Sequence, residues 1–176
     1  MVVKEGNLLT NVFNRIVRSC FYSLQQYYDG KLPEREISDK IKKLSEDAIL
    51  EYERHMYNHD FHRITYTLDS YIREVNKYWV GNIREAEKNG DDELRAQVLS
   101  DCFYCVKVIT TLVHPFAPVG CEMVKEYLAV DDRLWSWDYI FEPLTAIIEP
   151  GHEFKFLEPR VDFFKKPEWQ LGGDEE

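Results

Sequence analysis

Several things are scarce in this 176-residue chain, and each shortage excludes something. Positive charge is the first: Lys+Arg 22 against Asp+Glu 32 leaves a formal net charge of -10 at pH 7. A broad basic coat that holds nucleic acid by bulk charge is therefore excluded, while a localised contact stays open. Long apolar runs are also missing. The longest, around Val106 to Val113, is interrupted by Lys107 and two threonines, far short of the roughly 20 residues that a membrane span needs. Met1-Val2-Val3 leads straight into Lys4, Glu5, Asn7, Asn11 and Asn14, so the start is not of the secretory type. No glycine-rich phosphate loop, GxSxG elbow or HExxH pair occurs, which leaves nucleotide binding and hydrolase chemistry without sequence support. No internal repeat or low-complexity stretch is present.

The four cysteines, Cys20, Cys102, Cys105 and Cys121, lie inside apolar runs. They read as reduced, buried residues of a cytoplasmic protein. Hydrophobic residues at 44% and aromatics at 14%, with a mean hydropathy of -0.46, describe a soluble chain with one substantial core. A chain of this length buries roughly 70% of the surface its unfolded form exposes.

Apolar spacing of three and four residues predicts five helices. The first covers Asn7 to Tyr28, with Leu9, Phe13, Ile16, Cys20, Leu24 and Tyr27 on one side, and Asp29-Gly30-Lys31-Leu32-Pro33 stops it. The second starts at Ser38 as N-cap and runs to about Tyr57. The third carries Phe61, Ile64, Leu68, Ile72, Val75 and Trp79 in line and ends before Asn89-Gly90-Asp91. The fourth runs from about Asp92 to His114, where Pro115 and Pro118 end it. The fifth is short, Val119 to Leu128. Beyond Ala129 periodicity lapses, but Trp135, Trp137, Phe141, Phe154, Phe156, Phe163, Phe164 and Trp169 remain. So many large apolar side chains predict a segment packed on the helices, with Gly172 to Glu176 frayed. The expected fold is all-α: an antiparallel helix bundle of about five helices over residues 1–128, with an irregular aromatic-rich extension, 129–176, packed on it as one structural domain.

Three features invite a chemical reading. His55, His59 and His62 fall at i, i+4 and i+7, a spacing that can align imidazoles as metal ligands on a helix; solvated or capping histidines give the same spacing. Cys102-Phe103-Tyr104-Cys105 has the CxxC spacing, but it lies within a helical pattern and lacks a second pair, so core packing explains it. On the first helix, Asn11, Arg15, Arg18 and Tyr22 fall within a narrow angular range. Amide, guanidinium and aromatic groups in one stripe offer directional donors and a stacking surface, as single-stranded RNA recognition requires. A solvated face with ordinary surface arginines is the alternative. Residues 1–28 carry three basic residues against Glu5 alone, whereas residues 121–176 carry six basic against 14 acidic. The chain's acidity is thus concentrated away from this helix.

Read together, these segments resemble the anticodon-binding helical domain of class I aminoacyl-tRNA synthetases, most closely the methionyl enzymes. Gly6-Asn7-Leu8-Leu9-Thr10-Asn11-Val12-Phe13-Asn14-Arg15 resembles the family's opening helix, whose Asn-x-x-x-Arg pair contacts the anticodon. The resemblance assigns that role to Asn11 and Arg15 or, in the alternative register, to Asn14 and Arg18. Tyr28-Asp29-Gly30-Lys31-Leu32-Pro33 is similar to the loop that follows. Asn76-Lys77-Tyr78-Trp79 resembles a family element with a base-stacking tryptophan, which implies Trp79 as stacker with Tyr78 as substitute; Trp79 equally continues the apolar line of its helix. His114-Pro115-Phe116-Ala117-Pro118 resembles the family's "HPFMP" corner. Glu158-Pro159-Arg160-Val161-Asp162 resembles its closing "PRI" element, which makes Arg160 a further candidate.

The resemblance implies an anticodon stem-loop of tRNA as partner, with no DNA and no membrane. Neither the HIGH nor the KMSKS signature of class I catalysis occurs, so the chain is expected to hold no catalytic residue, no metal ligand and no cofactor of its own. ATP would belong to the catalytic domain of a parent synthetase, which the family places before this domain. The alternatives are a metal-binding bundle using His55, His59 and His62, and a degenerate synthetase-like interaction module.

Overall fold

The computed structural model describes residues 6–166. Pro167, Trp169 and the end expected to fray at Gly172 to Glu176 lie outside the described residues, as do Lys4 and Glu5. The fold is an all-α bundle, with no strand among the described residues. A π-turn, Leu8–Phe13, leads without a break into α1, Asn14–Tyr28. Then follow α2, Asp39–Tyr57, α3, Phe61–Asn89, α4, Asp92–Val113, and α5, Pro118–Leu128. Three short 3-10 turns, Asp132–Trp135, Trp137–Tyr139 and Leu144–Ile147, interrupt an otherwise irregular tail.

Local chemistry fixes the helix ends. Asp91 caps α4 by accepting from the Leu94 amide at 3.0 Å, which satisfies one of the orphan donors of the first turn. Gly90 ends α3 in the left-handed region, at φ 63, where a side chain would be strained. Pro118 opens α5, at the position where its missing amide costs nothing. Ser38 precedes α2 without capping it: its amide and hydroxyl both bond to Asp101 of α4, at 2.8 and 2.7 Å.

α4 is the axis of the bundle. Every residue from Arg95 to Val113 except Gln97 is buried, so its apolar character runs all round rather than along one stripe. Although charged and polar residues break its apolar runs, the helix as a whole is long and apolar enough by composition to span a bilayer; 94% of that stretch is buried inside the fold, as befits a core helix. Contacts fix the directions around it. α1 runs antiparallel to α4, since Phe21 meets Phe103 at 5.5 Å between ring centroids and the Tyr28 hydroxyl donates to the Asp92 carbonyl. α3 is also antiparallel to it, through Tyr78 and Asp101. α2 lies parallel to α4, with Ser45 near Cys105 and the Tyr52 hydroxyl donating to the Leu112 carbonyl at 2.9 Å.

The expected apolar lines hold in their middles and fail at their ends. Tyr27, in the last turn of α1 with the Arg95 guanidinium 4.0 Å from its ring centroid, is 40% exposed, and Phe61, the first residue of α3, is 53% exposed. Buried tail residues complete the core: Leu134, Ile140, Leu144 and Ile147 from the 3-10 turns and their surroundings, then Phe154, Leu157, Phe163 and Phe164. Phe154 packs on Phe103 and Phe21 at 5.0 and 5.8 Å. Phe164 sits so close to α5 that a Cβ on Gly120 would lie 2.4 Å from its ring; only glycine admits that approach.

Candidate nucleic-acid interface

α1 presents three faces. The inner one, with Ile16, Val17, Cys20, Phe21 and Leu24, is fully buried. A second carries Asn14, Arg18, Tyr22 and Gln25, at intervals of four, four and three that bring them into one row. This row holds the tail. Asn14 is 1% exposed; its amide nitrogen donates to the carbonyls of Phe164 at 2.8 Å and Thr10 at 3.1 Å, and its amide oxygen accepts from the backbone of Phe163 and Phe164 at 3.1 and 3.0 Å. Arg18 donates to Asp162 at 2.6 Å. The Tyr22 hydroxyl reaches the Glu158 carbonyl at 3.5 Å, and Gln25 both accepts from and donates to the backbone of Leu157, at 2.6 and 3.4 Å.

The third face carries Arg15 and, continuing it into the preceding π-turn, Asn11, four residues apart and both exposed. Among the described residues neither side chain makes a hydrogen bond or ion pair. Of the two Asn-x-x-x-Arg registers, then, one is spent on the tail and the other faces solvent. The alternative register, Asn14 and Arg18, is thus occupied within the free chain: Asn14 is buried against backbone it must satisfy, and Arg18 is paired with a carboxylate. The same tail row brings Arg160 alongside α1. Arg160 is exposed in a turn at φ 67, between the Glu158 and Asp162 anchor points.

The third-helix candidates are held elsewhere. Trp79 is 4% exposed and continues the buried line of Ile72 and Val75; of the two roles open to it, core packing is the one this fold displays. Tyr78 is half-buried, with its hydroxyl donating to Asp101 at 2.6 Å and Lys40 over its ring at 5.7 Å. Burial, then the hydrogen bond and charge of Asp101, hold that phenol well above its ordinary pKa. Asp101 is fully buried and accepts from Ser38, Tyr78 and Gln97, which joins the start of α2 to α3 and α4. Asp101 and Phe103 are two residues apart on α4, roughly 200° round the helix. Tyr78 and α1 therefore flank α4 from different sides and do not converge. The Asp101 hub was not foreseen from sequence; a lone aspartate inside an apolar run was the available signal, since a buried carboxylate demands partners.

The histidines do not gather either. His55 is buried beside Glu51 at 3.5 Å, His59 sits in a left-handed turn at φ 58 against the Tyr57 carbonyl, and exposed His62 packs edge-on against Tyr66. Asn58 to Asp60 break the helix, which destroys the i, i+4, i+7 alignment. Among the described residues no three His, Cys, Asp or Glu side chains are grouped to hold a metal ion, and the metal-binding alternative is not favoured. Cys102 and Cys105 are buried, free thiols, with Cys105 pushed up to about 12, chiefly by burial.

No family model matches the chain, but individual proteins do. Methionine–tRNA ligase 1 of Alkaliphilus oremlandii is 21% identical over 158 residues, which is 90% of this chain. Methionine–tRNA ligase of Haloarcula marismortui is 29% identical over 132 residues, 75% of the chain. The chain is similar to methionyl-tRNA synthetases. Its fold agrees: Mycobacterium tuberculosis methionyl-tRNA synthetase bound by methionyl-adenylate superposes with a TM-score of 0.75 over 93% of this chain, at 16% identity. The apo form of that enzyme gives 0.74. The chain spans only 28% and 17% of the two ligases and 33% of the adenylate-bound structure. It is thus similar to one helical portion of these enzymes.

Proposed function

We propose that this chain is the tRNA anticodon-binding bundle of a methionyl-type aminoacyl-tRNA synthetase, acting in the cytoplasm, with Asn11 and Arg15 reading the anticodon loop and Arg160 contacting it from the tail. The ATP-dependent ligation belongs to the catalytic domain of the parent enzyme, which is the second partner. The observation that carries the reading is the exposure of Asn11, on the π-turn, and Arg15, on α1, neither of which has a side-chain hydrogen bond or ion pair among the described residues. An amide and a guanidinium four residues apart can donate together to the edge of an unstacked base or to its phosphates. The relationship to methionyl-tRNA synthetases supplies the RNA.

Binding of a methionine-tRNA anticodon stem-loop, followed at low salt, tests it. Arg15→Ala is expected to weaken binding by about 1–3 kcal/mol, and Asn11→Ala by a comparable factor, with the thermal unfolding of both variants unchanged. Unchanged affinity in the double variant overturns the site. No measurable affinity of the unmodified chain at low salt, where phosphate contacts are strongest, favours the degenerate interaction module instead.

A further inference from the structure

The row that clasps the tail is uneven. Asn14, Tyr22 and Gln25 all bond to backbone groups of residues 157–164, contacts that any tail sequence could make. Arg18 alone engages a side chain, the Asp162 carboxylate at 2.6 Å, and it does so with both groups partly in solvent, at 29% and 45% side-chain exposure. The tail has no need of that ion pair. Its backbone anchors and the buried Phe154, Leu157, Phe163 and Phe164 hold it already, and a half-exposed pair adds little. The pair matters instead for charge. Arg15, Arg18 and Arg160 all lie on α1 or the tail turn clasped to it, and Asp162 cancels one of the three at the point where phosphate oxygens would be received.

We infer that Asp162 is a built-in competitor for RNA phosphate at Arg18: in the free chain its carboxylate holds the guanidinium, and on binding a phosphate displaces it. The inference rests on the anticodon-binding reading above. It names an affinity-determining residue, Asp162, and a third basic contact, Arg18, that is available only in exchange. Displacing one anion by another releases no counterion, so the Arg18 contact is nearly silent in the salt dependence of the unmodified chain.

The test is a two-residue cycle on the full chain with the anticodon stem-loop RNA as probe, across a range of salt concentrations. Asp162→Asn keeps the side-chain shape and removes the charge. It is expected to raise affinity roughly threefold or more at low salt and to steepen the slope of log K against log salt by about 0.7–0.9, the signature of one added phosphate contact. Arg18→Ala in the Asp162→Asn background is expected to abolish both changes, whereas Arg18→Ala alone changes affinity little. Hydrogen exchange at the Phe163 and Phe164 amides, unchanged in Asp162→Asn, shows that the tail stays clasped. An unaltered slope in Asp162→Asn, with the unmodified chain binding normally, overturns the inference and leaves the function standing. A gain that persists without Arg18 also overturns it, since the effect is then removal of a distant charge. Failure of the unmodified chain to bind overturns the functional reading and this inference with it.

Discussion

Replacing Asn14 by alanine tests the division of labour on α1 most directly. Asn14 makes four hydrogen bonds, two as donor to the carbonyls of Phe164 and Thr10 and two as acceptor from the amides of Phe163 and Phe164, and it is 1% exposed. Each intramolecular hydrogen bond contributes about 0.5–1.5 kcal/mol net, and a buried group left unpaired costs more. Alanine cannot replace any of the four, and three of the abandoned groups belong to tail backbone. The expected loss is about 3 kcal/mol, within a range of roughly 2–6. For a chain of this size that lowers Tm by roughly 6–12 °C. Asn11→Ala, three residues earlier on an exposed face, is expected to change stability by less than about 0.5 kcal/mol. Urea unfolding monitored by circular dichroism gives the free energies, and hydrogen exchange at the Phe163 and Phe164 amides locates the damage in the tail. A loss below about 1 kcal/mol for Asn14→Ala, with those amides still protected, refutes the assignment of Asn14 to the clasp.

Two further perturbations separate core from contact. Trp79→Phe should cost roughly 1–3 kcal/mol by leaving space in the core, while stem-loop affinity, measured where the variant is fully folded, stays unchanged; weakened binding by the folded variant refutes the core reading. Lys107 is fully buried, with its Nζ donating to the Tyr139 carbonyl and, at 3.3 Å, to that of Ile140. Burial lowers its pKa from 10.5 to about 8, partly opposed by the charge of Glu142. Below about pH 8 the lysine is charged in both states, and the cost of burying that charge is felt in full. Between that point and 10.5 the unfolded chain binds more protons than the folded one, so stability rises with pH. The stability of the unmodified chain minus that of Lys107→Met should climb across this window by on the order of 2–3 kcal/mol, with tyrosine and cysteine ionisation cancelling in the difference. A flat difference refutes the burial argument.

What was legible in the sequence is what short-range chemistry decides. Gly90 ends α3, and Pro115 stops α4 within two residues, because each acts on its own few residues of backbone, and apolar spacing finds the bundle of five helices because each helix must hide a stripe. The failures lie where a distant partner decides. Ser38 looks like a cap, yet its hydroxyl goes to Asp101, 63 positions away. Trp79 reads equally as stacker or core from its own helix; neighbouring helices settle the matter by leaving it 4% exposed. The π-turn at Leu8–Phe13 has no periodic signature of its own, since it lies in a helix that begins and ends as expected.

The register of the Asn-x-x-x-Arg pair shows the same limit in its sharpest form. Asn11 with Arg15 and Asn14 with Arg18 are offset by three residues, about 60° round an α-helix, an angle too small for hydrophobic patterning to rank. Both pairs lie off the apolar face, and both read as solvated. Only the return of residues 157–164 separates them, by covering one and leaving the other in water. Register and tail docking are therefore one question. Undocking the tail would expose a second amide and a second guanidinium beside the first, together with the buried backbone of Phe163 and Phe164. The tail thus narrows the exposed polar surface of this helical stretch to one amide and one guanidinium, Asn11 and Arg15, and the proposed RNA contact rests on that narrowing.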